Sequence, residues 1–436
     1  MKQETLEKFA GETGNNFKQT EIGLIPEDWE VVRLREVSKY MKAGGTPRRS
    51  IKEYWNGDIP FVKIEDITSS GKYLLETKEK ISKKGLDNSS AWLVPPNSIL
   101  LSMYASIGEV TITKFPVATN QAILAIIPNE KTTVDFLYYC LKLHGKRLYS
   151  YIVQTTQKNV NKAITENLPI PLPPLSEQHK IARVLDKIQQ AIELQDKIIE
   201  QAKRLKKSLM QKLFTEGLYG EEQKETEIGL IPKSWEVVRL GDDKILKETQ
   251  YGLSVRGKKE GKYPILRMNN LVEGLISIDD LQFVDLDEKT FRKFKLEKGD
   301  ILFNRTNSFE LVGKTSIFYL DGNFVFASYL IRLKLNSEII DPFFFNFYFN
   351  WDITQLRLKG LASRGVSQAN ISATKLKSFL IPLPPLEEQK QIAHILSTID
   401  RKIEVEQKRE QVLKELFRTM LHKLMSGEIR LKEVEV

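Results

Sequence analysis

Cysteine is all but missing from this 436-residue chain. Cys140 stands alone, which excludes an internal disulfide and suits a reducing, cytoplasmic compartment. Histidine is scarce as well: His144, His179, His394 and His422 have no carboxylate or cysteine neighbours at ligand spacing, so no metal centre is expected. No apolar run approaches the ~20 residues of a membrane span. The longest, Phe343 to Phe349, is interrupted by Asn346, and Met1 to Gln19 has no apolar signal core. A phosphate-cradling loop is also lacking. Gly313-Lys314-Thr315 has the right ending, but Ser308 replaces the first glycine and Phe309-Glu-Leu-Val312 fills the loop with bulk. Asp66 with Glu76-Thr77-Lys78 loosely imitates a nuclease carboxylate–lysine set. In a chain that is 28% charged, that spacing arises by accident. With no Asn/Asp-Pro-Pro-aromatic motif either, the chain is expected to carry no catalytic site of its own.

What is present is basic charge and a repeat. The 66 Lys and Arg against 57 Asp and Glu leave +9, which favours a polyanionic partner, nucleic acid before membrane. Thr20-Glu-Ile-Gly-Leu-Ile-Pro-Glu-Asp-Trp-Glu-Val-Val-Arg-Leu34 returns as Thr226 to Leu240, with 13 of 15 positions identical. Ile170-Pro-Leu-Pro-Pro-Leu175 returns as Ile381 to Leu386, followed by Glu177-Gln178 and Glu388-Gln389. Gln157-Lys-Asn159 upstream matches Gln368-Ala-Asn370. Three matched blocks in one order mean that the chain is written twice. Between the blocks the halves diverge, which suggests two similar scaffolds with different ligands.

After each Pro-Leu-Pro-Pro-Leu the pattern turns helical. A 4-3 stripe runs Ile181, Leu185, Ile188, Ile192, Gln195, Ile199, Ala202, Lys206, Leu209, Leu213 and recurs 211 residues later from Ile392 to Leu424. Eight of ten positions are apolar in each, which predicts two long helices packed as a coiled coil, antiparallel by the circular repeat. Gln195 and Glu406, equivalent polar positions, are read either as register-setting or as a solvated midpoint. Leu175 to Glu216 would span ~63 Å as continuous helix, close to two turns of DNA. Leu6-Glu-Lys-Phe9 imitates Gln211-Lys-Leu-Phe214, so residues 1–19 are read as completing the circular repeat. The expected order is therefore 1–19, a recognition domain at 20–155, a helical spacer at 156–219, a second recognition domain at 220–366 and a second spacer at 367–436.

The doubled Thr-Glu-Ile-Gly-Leu-Ile-Pro-x-x-Trp-Glu, the Gln-x-Asn before each Pro-Leu-Pro-Pro-Leu-x-Glu-Gln, and the helices after them resemble the specificity subunit of type I restriction–modification enzymes. Gly44-Gly45-Thr46-Pro47 with Tyr54-Trp55, and Asn304-Arg305-Thr306-Asn307-Ser308, look like elements of that family's target-recognition domains. The resemblance implies an α+β fold with two pseudo-symmetric recognition domains separated by two long antiparallel helices. Each domain would bind one half of a split double-stranded DNA site, and the helices would dock two methyltransferase subunits. A restriction/translocase subunit would join them, with S-adenosylmethionine, ATP and Mg on those partners and no cofactor here. A coiled-coil protein with two protein-binding domains stays open as an alternative, as does the specificity subunit of a system whose methylase and nuclease are fused.

The residues themselves supply candidates for the DNA contact. Lys39, Lys42, Arg48, Arg49 and Lys52 gather with Tyr40, Tyr54 and Trp55 around Gly44-Gly45 and Thr46. Arg256, Lys258, Lys259, Lys262 and Arg267 surround Tyr251-Gly252 and Gly257. Glycines permit close backbone approach and cations neutralise phosphates. Base edges are read by arginine or lysine on guanine and asparagine or glutamine on adenine, so Lys63, Asn120 and Gln121 are the first domain's candidates. Asn269, Asn270, Asn304 and Arg305 are those of the second. Gln157, Asn159, Gln368 and Asn370 share one frame in both halves, so they fit a common backbone contact or a bond closing the domain–helix junction.

Overall fold

The computed structural model describes residues 16–145, 147–148, 160–364 and 368–431. They form two compact units: one is Met1–Gln195 with Arg409–Val436, the other Asp196–Lys408. Both are α+β, and they are built by the same rules.

The repeated blocks meet in space. In unit 1, Phe17–Thr20 and Gly23–Pro26 form a hairpin that leads to Trp29, whose side chain is fully buried. The next strand, Glu30–Arg33, pairs antiparallel with Pro169–Leu172, joining two blocks well over a hundred residues apart. Unit 2 repeats this with the hairpin Gln223–Thr226 and Gly229–Pro232, a buried Trp235, and Glu236–Arg239 paired with Leu380–Leu383. Prolines are tolerated in these closing strands because a two-stranded ribbon leaves half the backbone outside the ladder.

Between the blocks lies the divergent part. In unit 1 a five-stranded sheet places Ile123–Pro128 between Ser38–Ala43 and Ser98–Ser102, with Val110–Thr113 and Tyr73–Leu74 beyond. In unit 2 the order is Leu246–Tyr251, Leu330–Leu335, Ile301–Asn304, Thr315–Ile317. The central strands Ser98–Ser102 and Ile301–Asn304 are buried along their whole length, as continuous apolar runs covered on both faces should be. A helix packs on each sheet: Val134–His144 in unit 1 and Pro342–Asn350 in unit 2. Cys140 is buried in the former, and burial pushes its thiol up, as befits a small core residue.

The long helices run from Leu175 to Glu216 and from Leu386 to Met425, the first with the bounds expected from the stripe. Both are shared between the units. In unit 1, Ile181, Leu185 and Ile192 from the start of the first helix share a core with Phe417, Leu421 and Leu424 from the end of the second. In unit 2, Met210, Leu213 and Phe214 share a core with Ile392 and Leu396, and Lys206 pairs with Asp400 at 2.6 Å. The helices are therefore antiparallel within each unit. Lys206, a polar break in the apolar stripe, is explained by that pair: burial pushes the Asp400 carboxyl up and Lys206 opposes the shift. Gln195 and Glu406 are both buried, which removes the solvated-midpoint reading.

The Leu-x-Glu-Gln repeat is the joint between sheet and helix. Glu177 accepts from the Trp29 indole at 3.1 Å, and Glu388 from the Trp235 indole at 2.9 Å. Gln178 accepts from the Thr133 amide and donates to the Lys131 carbonyl, tying down the start of the Val134–His144 helix. Gln389 does the same through the Asp341 amide and the Ile339 carbonyl. These side chains are buried, so their bonds replace water and fix the helix direction.

Each joint is finished by a helix end. In unit 2 it is the end of the first helix, where Gly217 (φ +68°) passes so close to Pro232 that a Cβ would lie 2.9 Å away. In unit 1 it is the end of the second, where Gly427 (φ +72°) passes Pro26 with 2.3 Å for the same atom. The Leu6–Phe9 segment proposed for this place lies outside the described residues. The Phe17–Thr20 strand belongs to the hairpin.

Candidate nucleic-acid interface

In unit 1 the surface begins where Ser38–Ala43 leaves the sheet. The Gly44 amide donates to the Ile123 carbonyl and the Gly45 amide to the Thr119 carbonyl, so the chain turns tightly under the Thr119–Gln121 bend. Both glycines are buried. A Cβ on Gly44 would fall 1.9 Å from the Thr119 carbonyl oxygen, and one on Gly45 2.1 Å from Ser90 Oγ. The close approach these glycines permit is, in this structure, to Thr119 and to Ser90–Ala91 of the same chain. What the bend presents is Thr46, which donates to Gln121 Oε1 at 2.6 Å, and the exposed Arg48. Asn120 is half-buried and its Oδ1 accepts from the Ala122 amide, forming the turn beneath Gln121.

The other cations differ in how far they are committed. Arg49 lies 3.7 Å over the Trp55 ring and pairs with Glu79 at 2.8 Å. Lys63 pairs with Glu65 and Glu79, and hydrogen bonds to these two carboxylates hold its ammonium pKa above the usual range. Any contact of Lys63 with a base would have to compete with these two carboxylates. Lys42 sits 5.6 Å from the Trp92 ring, against which exposed Tyr40 packs edge-on at 5.5 Å. Arg48 has no side-chain partner among the described residues. Replacing Arg48 with Ala should therefore flatten the slope of log affinity against log salt by ~1, as for one lost phosphate contact. Replacing Arg49 should change it less. Equal slopes for wild type and the Arg48 variant would remove Arg48 from the interface.

Unit 2 assembles a different surface on the same frame. Arg267 pairs with Asp280 at 2.8 Å, and exposed Asn269 donates to the same carboxylate. Asn270 is buried, accepting from the Arg267 amide and donating to the Ser277 and Asp280 carbonyls. It matches Asp66 in unit 1, which caps the Lys63 amide, so both are braces of a turn. Asn304 is buried at the end of its strand and donates to the Leu311 carbonyl. Both side chains are buried and hydrogen-bonded to loop carbonyls, Asn304 with its Oδ1 left without a partner among the described residues.

Tyr251, Arg305 and Asn370 do come together around one place. The Arg305 guanidinium lies 4.8 Å from the Tyr251 ring, and its Nη1 donates to the Ser328 carbonyl at 3.2 Å. The Tyr251 hydroxyl accepts from the Ala373 amide. Asn370 donates to Thr306 Oγ1 at 2.6 Å, and its strand pairs with Thr306–Asn307. Gln368 beside it is exposed, as is Arg256 on the loop after Tyr251. Gln157 and Asn159 lie outside the described residues. Tyr329, exposed beside Arg305, and Trp92 were not singled out from sequence. The bond of the Arg305 amide to the Tyr329 carbonyl, which repeats that of the Met103 amide to the Ala122 carbonyl in unit 1, places Tyr329 beside Arg305.

The sites that imitate catalysis have structural explanations. Asp66 uses both oxygens on backbone amides, those of Lys63 and Lys78. Gly313-Lys314-Thr315 is a turn into a strand, with Thr315 buried against Asn346 and Asn350. Among the described residues no cluster of His, Cys, Asp and Glu is arranged to hold a metal, and no helix is long and apolar enough to cross a membrane.

Comparison with known proteins agrees with this doubled architecture. The type I restriction modification DNA specificity domain matches residues 26–204 and again 232–415, framing both units. The type I restriction enzyme MjaVIII specificity subunit of Methanocaldococcus jannaschii is 31% identical over 434 residues, covering 96% of this chain and 97% of its own. The EcoKI specificity subunit of Escherichia coli is 24% identical, over 85% of this chain and 82% of its own. The fold is shared with the S subunit of a type I restriction-modification system from M. genitalium, at TM-score 0.57 and 18% identity over 95% of this chain and 98% of that one. This chain belongs to the family of type I restriction–modification specificity subunits.

Proposed function

We propose that the chain reads double-stranded DNA, each unit binding one half of a bipartite target, and directs methylation and restriction by partner subunits. The observation that carries this reading is one scaffold used twice, with joints built from the same residues and surfaces that differ. The Trp29–Glu177 bond recurs as Trp235–Glu388, and Gln178 and Gln389 each accept from a backbone amide at the start of the helix on the sheet. The strand ends between them carry Thr46, Arg48 and Gln121 in one unit and Tyr251, Arg305 and Tyr329 in the other. A protein that selected one ligand twice would have no use for that difference. The long helices are the surface offered to two modification subunits, and a restriction/translocase subunit completes the assembly. Methyl transfer, translocation and cleavage reside in those chains, with their S-adenosylmethionine, ATP and Mg.

Exchange of the variable segment between Leu34 and Asn167 for that of a relative tests the reading. We expect methylome sequencing to show one half-site changed and the other retained. Simultaneous change of both would refute two independent readers. Loss of all DNA binding by the unaltered chain with its modification subunits, at every salt concentration, would refute DNA reading itself.

A further inference from the structure

The strand registers make the units comparable residue by residue. Leu124 faces Ala43 where Ile331 faces Tyr251. The Met103 amide bonds to the Ala122 carbonyl where the Arg305 amide bonds to the Tyr329 carbonyl. Three equivalent positions thus hold Ala43, Met103 and Ala122 in unit 1 and Tyr251, Arg305 and Tyr329 in unit 2. On an otherwise common frame, two small side chains and a buried thioether stand against two exposed phenols and a cation.

The cation is held but not used up. Tyr251 lies against the guanidinium, a cation–π contact that fixes its plane, and the Ser328 carbonyl takes one N–H. Nε is buried and has no acceptor among the described residues. Among the described residues no carboxylate is paired with Arg305, in contrast to Arg267 with Asp280 and Arg332 with Glu248. A buried donor without an acceptor is costly, and natural chains keep few of them outside functional places. A planar fork held against an aromatic ring with no competing carboxylate suits the two adjacent acceptors on the major-groove edge of guanine.

We infer that Arg305 is the specificity-determining residue by which unit 2 selects a G·C pair, that Tyr251 positions it, and that unit 1 has no counterpart at this place. The inference rests on the DNA-reading function proposed above. It makes the two half-sites unequal in kind: unit 1 must draw its selectivity from other positions.

The test uses the full chain assembled with its modification subunits and a pool of DNA randomised across both half-sites. Arg305→Met, which installs the residue unit 1 carries, should lose preference for G·C at one position of one half-site by about tenfold. The other half-site should be unchanged, which also reports that the variant is folded. Arg305→Lys keeps the charge without the fork, so it should lose the same preference while the salt slope stays put. Tyr251→Leu should weaken the preference, and Tyr251→Phe should restore most of it. Unchanged preferences in Arg305→Met overturn the inference and leave the DNA-reading function standing. Equal weakening on every sequence with a flatter salt slope also overturns it, by making Arg305 a phosphate contact. An unaltered assembly with no base preference at all overturns both.

Discussion

Arg430→Ala should destabilise unit 1 by ~3–5 kcal/mol, the usual consequence of leaving a buried charge without its partner. Glu177 is 2% exposed, and its carboxylate is met by Arg430 Nε at 2.8 Å and Nη2 at 2.9 Å, besides the Trp29 indole. The same arginine reaches Asp28 with both Nη atoms at 3.0 Å. These contacts tie the chain's last described residues to the block that opens the repeat. Removing the arginine leaves the buried Glu177 carboxylate with only the Trp29 indole and the Leu431 amide as described partners. In unit 2, Glu388 has no cation among its described partners; the Leu218 amide and the Trp235 indole serve it. The loss should therefore be local. Hydrogen exchange should show early opening of Ile181–Leu185 and Trp29 and unaltered protection around Trp235. Because the arginine matters through the charge it compensates, Glu177→Gln in the Arg430→Ala background should recover part of the stability. A double variant no more stable than Arg430→Ala alone would show that packing, and not charge, holds the joint.

Acid should weaken the same unit through His144. Its side chain is buried, neither ring nitrogen has a hydrogen-bond partner among the described residues, and it faces a cavity of about 300 Å³ lined also by Arg147, His422 and Glu428. Burial first, then the charges of Arg147 and His422, lower its pKa to about 4. The unfolded chain binds this proton near pH 6.5, and the folded chain resists it down to about 4. Stability is thus fully present above pH 6.5 and falls as the pH drops through that window. The total loss is ~3 kcal/mol at ~1.4 kcal/mol per pH unit. His144→Phe removes the titrating group and two unpaired nitrogens. It should match or exceed the wild type near pH 5 and differ little at pH 7.5. Carboxylates elsewhere add their own acid sensitivity, so the decisive quantity is the difference between the two stability curves across pH. Parallel curves would rule out His144 as the source.

The sequence by itself determined the doubling, the helices and their direction. These are local or periodic properties: the 4-3 stripe specifies a helix face whatever surrounds it, and the circular order of blocks specifies antiparallel packing. It also marked the recurrent Trp-Glu and Glu-Gln pairs, although not that Glu177 reaches back to Trp29 while Gln178 ties the start of the Val134–His144 helix. Residue type singled out Arg48, Thr46, Gln121, Tyr251 and Arg305, which all lie at the turns beside the sheet ends.

Tertiary structure decided which polar residues remain available. Glycine's freedom looks the same in sequence whether the close neighbour is a ligand or the chain's own carbonyl, and for Gly44 it is Thr119. An asparagine or a lysine looks equally suited to a base edge until its partners are known. Asn270 and Asn304 are spent on backbone groups, and Lys63 on Glu65 and Glu79, residues brought near by strand pairing. The contacts of Gly427 with Pro26 and of Arg430 with Glu177 were decided in the same way, because only the antiparallel return of the second long helix brings these residues to the opening block.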